Sequence, residues 1–449
     1  MHSHSTNLAD KLEKKVEGLN LKKHLHTAVL ILAATLSIAC GSSQKLGSDM
    51  LFRSPSTDTI PYRIPAIAVL EGNKLLALAD YRVCGNDIGF GRVDIHGRFS
   101  NDGGLSWKAP FTLIEGTGVS GSVDCGFGDP AIVADWESDD VLVVLVCGET
   151  KYWHESTTRH NPNRIAMIHS HDNGKTWGAW KEMTEEIYQL FDESSHGCIQ
   201  SCFIASGKIC QSRRIKVGSH YRIYAAMCAR PNGNRVIYSD DFGKTWKILG
   251  TADDLPVIDG DEPKCEELPD GSVVLSSRAW GGRYFNIFKY SDAVQDGKGT
   301  ADKRSANGKF STGQWGEAAG SGRGNKGCAA ISNSCNGEIL ILPATRTLDK
   351  RKVHLALQSV PLGPERTNVG IYYKELPENI SEMTTSDFAA DWQTAYKATS
   401  LPSAYSTMVV LRNGNIGFYY EENEDCCPNG FNLIYKELPL ETITAGQYR

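Results

Sequence analysis

The sequence predicts an all-β fold of the β-propeller kind, and three observations carry that prediction. From about Leu51 onward the text is strand and turn throughout. An octapeptide of fixed pattern occurs three times at near-equal spacing. The stretch from Leu51 to Arg449 runs on without a linker, which suits one large closed architecture better than two or three separate domains.

The strands come first. Ala66–Leu70, Val141–Leu145, Arg222–Ala226, Ser272–Leu275 and Glu338–Leu342 are short runs rich in branched and aromatic residues. Gly-rich punctuation separates such runs, as at Glu71-Gly72-Asn73, Pro269-Asp270-Gly271 and Asn413-Gly414-Asn415. Only Trp180–Phe191 carries a helical pattern, and it is short. Tyr373–Pro377 and Tyr435–Pro439 share the text Tyr-Lys-Glu-Leu-Pro and read as equivalent strands of neighbouring blades. The polar, Gly-rich stretch Gly297–Gly324 reads as a long surface loop.

The repeated octapeptide is Ser-x-Asp-x-Gly-x-Ser/Thr-Trp. It starts at residues 100, 170 and 239, so its copies lie 70 and 69 residues apart. Each position has a use in a turn. The Asp carboxylate can accept N–H bonds across the turn, and Gly can take positive φ. The hydroxyl adds a local bond, and the Trp lays a large ring against a neighbour. A long fixed period marks an architecture of similar modules. These octapeptides resemble the Asp boxes of the sialidase (neuraminidase) family. The resemblance implies a six-bladed propeller with the boxes on the face away from the active site, so the boxes speak for a fold and not for a mechanism. No clear fourth box exists; Ser291-Asp292-Ala293 and Ser332-Asn333-Ser334 are remnants at best.

Composition and the N-terminus set the context. A net charge of −6 argues against non-specific binding to nucleic acid or anionic membranes, so any anion site has to be local. The apolar run Thr27–Ala39 follows Lys22, Lys23, His24 and His26; it is short for a bilayer span and right for the core of a signal peptide. Cys40-Gly41-Ser42-Ser43 then resembles a lipoprotein cleavage site, with Ser37 where a Leu is usual. The domain reading is residues 1–39 for export, 40–50 as a linker and 51–449 as the catalytic propeller. Localisation is expected at the periplasm, outer membrane or cell surface, with membrane attachment only through a lipid on Cys40. The thirteen Cys show no disulfide framework and no zinc spacing; they are expected to be small buried residues with one or two disulfides.

The chemistry follows from the substrate class. A sialoside carries a carboxylate on its anomeric carbon. A site that cleaves it needs cations for that carboxylate, an acid for the leaving oxygen and a nucleophile. A carboxylate nucleophile would be repelled by the substrate's own charge, whereas a phenol deprotonated by a Glu would not. By resemblance, Arg63 in Tyr62-Arg63-Ile64-Pro65 is the first guanidinium of a carboxylate clamp. Arg278 in Ser277-Arg278 is the second, and Arg366, which precedes the strand from Val369, is the third. Arg346 and Arg351 are alternatives to Arg366. Arg82 helps hold the sugar, and Asp129 in Gly128-Asp129-Pro130 reaches a sugar hydroxyl.

Asp87, on the Gly-flanked loop Gly85–Gly91, fills the general acid/base position. Asp94 competes for it and is assigned a structural role. By the same resemblance Glu262 activates the nucleophile, ahead of Glu266 and Glu267, which are expected to sit on the strand. Tyr405 is the nucleophile the resemblance implies, while Tyr419 and Tyr420 read as packed strand aromatics.

The expectation is therefore an exo-α-sialidase that acts on sialylated glycans with retention, using Asp87, Glu262 and Tyr405. It needs no metal or organic cofactor and no nucleic-acid partner. The alternatives are a trans-sialidase or intramolecular trans-sialidase with the same residues, and a silent sialic-acid-binding propeller.

Overall fold

Strands that are apolar on both faces, such as Val141–Cys147, need cover on both sides. Stacking sheets around an axis supplies that cover, because each sheet then has a neighbour on either face. The computed structural model describes residues 48–55, 60–291, 310, 312–332, 334–424, 427 and 429–449. They form six sheets of four or five strands, antiparallel but for one two-residue parallel pairing.

Blade one holds Tyr62–Leu70, Lys74–Tyr81, Asp94–Ser100 and Phe111–Ile114. Blade two holds Phe127–Ala134, Val141–Cys147, Arg164–Ser170 and Lys181–Glu182, with Gly207–Lys208 added in parallel along its first strand. Blade three is centred on His220–Arg230, paired by Ser201–Ile204, Cys210–Val217 and Arg235–Ser239, with Lys247–Ile248 outermost. Blade four holds Asp261–Glu267, Val273–Ala279, Gly282–Tyr290 and Gly313–Trp315. Blade five holds Ile339–Thr345, Lys352–Pro361, Val369–Glu375 and Gln393–Lys397. Blade six takes Ser403–Val410, Ile416–Glu422 and Asn432–Leu438 from the C-terminal end and Ser48–Phe52 from the other. That last pairing closes the ring.

The core is correspondingly divided. One apolar cluster lies between each pair of adjacent blades; Ala66, Leu76 and Leu78 of blade one, for example, meet Ile132, Val141 and Val143 of blade two. The cluster at the seam joins Ile67 and Leu75 to Val409, Tyr419 and Tyr435, with Leu51 and Phe52 beside them.

The three octapeptides follow the third strands of blades one, two and three. In each, the Ser hydroxyl accepts the Gly N–H (2.8, 2.9 and 2.8 Å) and donates to the Asp carboxylate. The other Asp oxygen takes the Ser or Thr hydroxyl at 2.5, 2.6 and 2.7 Å. Each box also meets the preceding blade: a Cβ on Gly243 would lie 2.5 Å from Leu142, and one on Gly104 would lie 2.5 Å from the Tyr435 hydroxyl. Tyr373 and Tyr435 sit on the third strands of blades five and six, the equivalence the repeated text implies.

Three expectations change. The helix is Thr184–Tyr188 continued by a 3-10 turn to Phe191, and the structure adds Thr385–Ala389 and Leu440–Ile443, which are too short for periodicity to register. The end of the expected loop 297–324 forms Gly313–Trp315 and Ala319–Ser321 on blade four, because the Trp315 ring packs on Phe288. The described cysteines are free thiols, all but Cys84 and Cys198 buried, in place of the one or two disulfides expected. Thr27–Ala39, Cys40, residues 297–309, Asp292, Ala293, Asn333 and Cys426 lie outside the described residues. Among the described residues no helix is long and apolar enough to cross a membrane.

Candidate active site

The inner strands of four blades break their ladder register at one end. The breaks fall between Arg63 and Ala66, Gly128 and Ala131, Asp261 and Pro263, and Ser403 and Ser406. A bulge re-aims a side chain that a regular strand would keep on the packed face. Proline is one cause, since it cannot donate to the ladder: Ile64-Pro65, Asp129-Pro130 and Glu262-Pro263 each stand at a break. Ile64 and Asp129 take positive φ there, 59° and 52°. All four breaks lie at the same end of the propeller and border one cavity of about 400 Å³.

All eight residues singled out by sequence line that cavity: Arg63, Arg82, Asp87, Asp129, Glu262, Arg278, Arg366 and Tyr405. At its foot the Tyr405 hydroxyl donates to Glu262 Oε1 at 2.5 Å. Arg278 Nη1 reaches Glu262 Oε2 at 2.6 Å and the Tyr405 oxygen at 3.2 Å. The guanidinium carbons of Arg63 and Arg366 lie 5.4 and 5.6 Å from the centre of the Tyr405 ring. Burial, reinforced by the Glu262 charge, pushes the Tyr405 phenol well above its usual value; Arg278 and Arg366 act the other way. The phenol is therefore neutral, with its hydroxyl hydrogen-bonded to Glu262.

Asp87 and Ile88, on the loop Gly85–Gly91, also line the cavity. Arg82 directly follows the second strand of blade one, and Asp87 Oδ1 accepts its Nη2 at 2.6 Å. The Asp87 side chain is 51% exposed and so open to a ligand. Its loop rests on blade two: Ile88 sits against Gly128, and Lys151 Nζ lies 3.7 Å over the Phe90 ring. Burial, then the charges of Asp80, Asp87 and Glu262, push Asp129 well above the usual carboxylate range.

The alternatives lie elsewhere. Asp94 accepts Arg92 and the Gly116 N–H. Glu266 pairs with Lys208, and Glu267 accepts Ser212 and the Arg213 N–H. Arg346 and Arg351 pair with Glu375 and Glu378. Tyr419 and Tyr420 are fully buried in two different interblade clusters.

Sequence reasoning missed Glu421. It is fully buried and accepts four N–H groups: Arg63 Nε at 2.7 Å, Arg63 Nη2 at 3.2 Å, the Ile64 N–H at 2.8 Å and the Tyr405 N–H at 2.9 Å. One carboxylate thus ties the Arg63 bulge of blade one to the Tyr405 bulge of blade six. The signal was present, since strand alternation puts Glu421 on the same face as the core residue Tyr419. Ser334, which takes Arg278 Nε at 2.8 Å, had no such signal. Among the described residues no group of three His, Cys, Asp or Glu is placed to hold a metal.

Comparison with known proteins agrees with this architecture. The BNR/Asp-box repeat family matches residues 237–247, a span that contains the third octapeptide. A sialidase of Paraclostridium sordellii is 25% identical over 231 residues, which is 50% of this chain and 54% of that protein. A sialidase of Bacteroides fragilis (strain YCH46) is 25% identical over 234 residues, 48% of this chain and 39% of that protein. The matches thus span about half, or less, of these relatives. Among solved structures, the intramolecular trans-sialidase from Ruminococcus gnavus in complex with oseltamivir carboxylate superposes with a TM-score of 0.62 at 17% identity, covering 90% of this chain and 99% of that one. Trypanosoma rangeli sialidase in complex with 2,3-difluorosialic acid gives 0.60 at 14% identity, covering 88% and 59%. At those identities the structural likeness is one of fold.

Proposed function

Starting from a chain that carries the Asp-box repeats of the sialidase family on a six-bladed sialidase-type propeller, we propose that it is an exo-α-sialidase that releases terminal sialic acids with retention of configuration. The observation that carries this reading is the Tyr405–Glu262 pair, 2.5 Å apart at the foot of a cavity bordered by Arg63, Arg278 and Arg366. Binding alone would need the arginines. It would not need a neutral phenol hydrogen-bonded to a carboxylate beneath them.

The sugar carboxylate binds the three guanidinium groups, each charge-assisted contact contributing roughly 1.5–3 kcal/mol. The Tyr405 oxygen attacks the anomeric carbon while its proton passes to Glu262. The glycosidic bond breaks, and Asp87 delivers a proton to the departing oxygen. Asp87 then takes a proton from water, whose oxygen attacks the same carbon. The tyrosyl bond breaks, and Tyr405 recovers its proton from Glu262. Two inversions at one carbon give net retention. Arg82 and Asp129 hold the sugar ring through its hydroxyls. Export through Thr27–Ala39, with a lipid on Cys40, belongs to the same proposal; radiolabelled palmitate appearing on wild type and not on Cys40→Ser tests it.

Turnover of 4-methylumbelliferyl sialoside by the wild-type protein, and loss of at least about 10³-fold in Tyr405→Phe, is the expected result. A Phe variant with wild-type turnover would remove Tyr405 from the mechanism. Proton NMR of the first product decides the outcome class: free α-sialic acid means hydrolysis with retention, and an anhydro or transferred sugar means a trans-sialidase.

A further inference from the structure

One buried carboxylate beside the cavity takes no step in the sialidase reaction, and any role for it there rests on the sialidase reading. Asp80 sits at the end of the buried run Leu75–Asp80 and is wholly enclosed. Its Oδ1 accepts the Asp129 N–H at 3.0 Å, and its Oδ2 accepts Arg82 Nε at 3.4 Å and Nη2 at 3.3 Å. The same Arg82 Nη2 donates to Asp87 at 2.6 Å. One guanidinium nitrogen is therefore shared between a carboxylate on the strand and a carboxylate on the loop.

Packing alone does not account for an acid at this position. Burial pushes the Asp80 carboxyl above its usual range and the Asp87 charge adds to that, against Arg82 and the Asp129 N–H. An apolar residue would fill the same space without that penalty. Asp87 itself is half exposed on a loop with positive-φ glycines at 85, 89 and 91, so its place depends on what grips it. Among the described contacts Arg82 is the one side chain that donates to its carboxylate; the Ile88 N–H reaches the same oxygen at 3.0 Å, and the Asn86 side chain accepts the Asp87 N–H at 2.8 Å, both from within the loop itself. An arginine has a long rotatable stem, and Asp80 holds two of its nitrogens.

We propose that Asp80 is a positioning residue for the leaving-group step, fixing Arg82 so that Arg82 holds the Asp87 carboxyl over the departing oxygen. Substrates with different leaving groups separate this role from a structural one. A sugar alcohol leaves only when protonated, whereas 4-methylumbelliferone is acidic enough to leave with little help. A merely structural Asp80 would affect both alike.

The test compares full-length wild type and Asp80→Asn on 3′-sialyllactose and on 4-methylumbelliferyl sialoside, with kcat/KM as the readout. The expected result is a loss at least about 10-fold greater on sialyllactose than on the aryl sialoside, the part common to both coming from the hold of Arg82 and Asp129 on the sugar ring. Equal losses on both, or none on either, would overturn the proposal. Asp80→Ser, which keeps one oxygen acceptor, takes over if the Asn variant melts early; if neither folds, Asp80 is structural and the proposal fails. A wild type inactive on both substrates defeats the sialidase reading itself, a separate outcome visible before any variant is made.

Discussion

Glu421 shows how much one side chain can organise. It takes two nitrogens of Arg63 and the backbone N–H groups of Ile64 and Tyr405, and so holds a β-branched residue at φ 59°. Such a conformation persists only where its surroundings over-determine it. Removing the charge leaves Arg63 without its partner at the cavity wall. Glu421→Gln is expected to cost about 3 kcal/mol by thermal denaturation and to lower kcat/KM about 10–100-fold on a sialoside.

Asp129 makes the opposite case, a residue that lowers stability where it sits. Burial and three neighbouring carboxylates raise its folded pKa, while in the unfolded chain it titrates near about 4. Below that pH it is neutral in both states and costs nothing. As pH rises, the unfolded state gains the charge first, so the folded state loses ground until the folded pKa is passed. Asp129→Asn should therefore melt higher than wild type at pH 8, with the gap closing toward pH 4; a gap of constant size would refute the raised pKa. Asn tolerates the positive φ of this position. Arg63 and Asp129 were legible through Tyr62-Arg63-Ile64-Pro65 and Gly128-Asp129-Pro130, which resemble motifs of the sialidase family; Asp80 and Glu421 had only the alternation of their strands, a signal that gives burial and names no partner.

At the scale of the element, the octapeptide turns are blade-to-blade fasteners as much as turns. Gly243 takes φ 88°, and a Cβ there would stand 2.5 Å from Leu142 of the preceding blade. Gly414 has φ 85° with nothing near its Cβ position and serves as a control for backbone strain alone. Gly243→Ala is expected to cost about 1–3 kcal/mol, and more than Gly414→Ala, the excess measuring the interblade contact. Because the boxes lie at the end of the third strands remote from the cavity, sialoside kinetics of the folded Gly243→Ala variant should match wild type. The bulges are the other recurring device. Proline at three of the four breaks makes the same local defect in different blades, and each defect turns a polar side chain toward the axis.

The whole molecule depends on its closure. Ser48–Phe52 supplies the outer strand of blade six, and Leu51 and Phe52 are 2% and 3% exposed at the seam with blade one. Residues far apart in the chain meet there: the Ser54 N–H donates to Asn432, 378 positions away in sequence. Phe52→Ala should lower stability by about 3 kcal/mol, measured by denaturant unfolding. Asp87 and Arg63 of blade one share a cavity with Tyr405 of blade six across that seam. Any sialoside turnover should therefore fall with unfolding of the seam, so activity and melting are expected to be lost together in this variant.

Sequence alone determined the propeller class and the three turn motifs, because those rest on local chemistry, short strands and Gly and Asp in turns; the candidate site residues were read from a family resemblance. Tertiary structure decided which acid does what. Glu262, Glu266 and Glu267 stand within six residues on one strand, yet one meets a phenol, one a lysine and one a serine. That difference comes from the blades facing each carboxylate, and the partners arrive from positions no local pattern relates. Ring closure brings Glu421, Arg63 and Tyr405 together for the same reason, since burial cost makes a charged group take whatever partner the closed fold delivers to it.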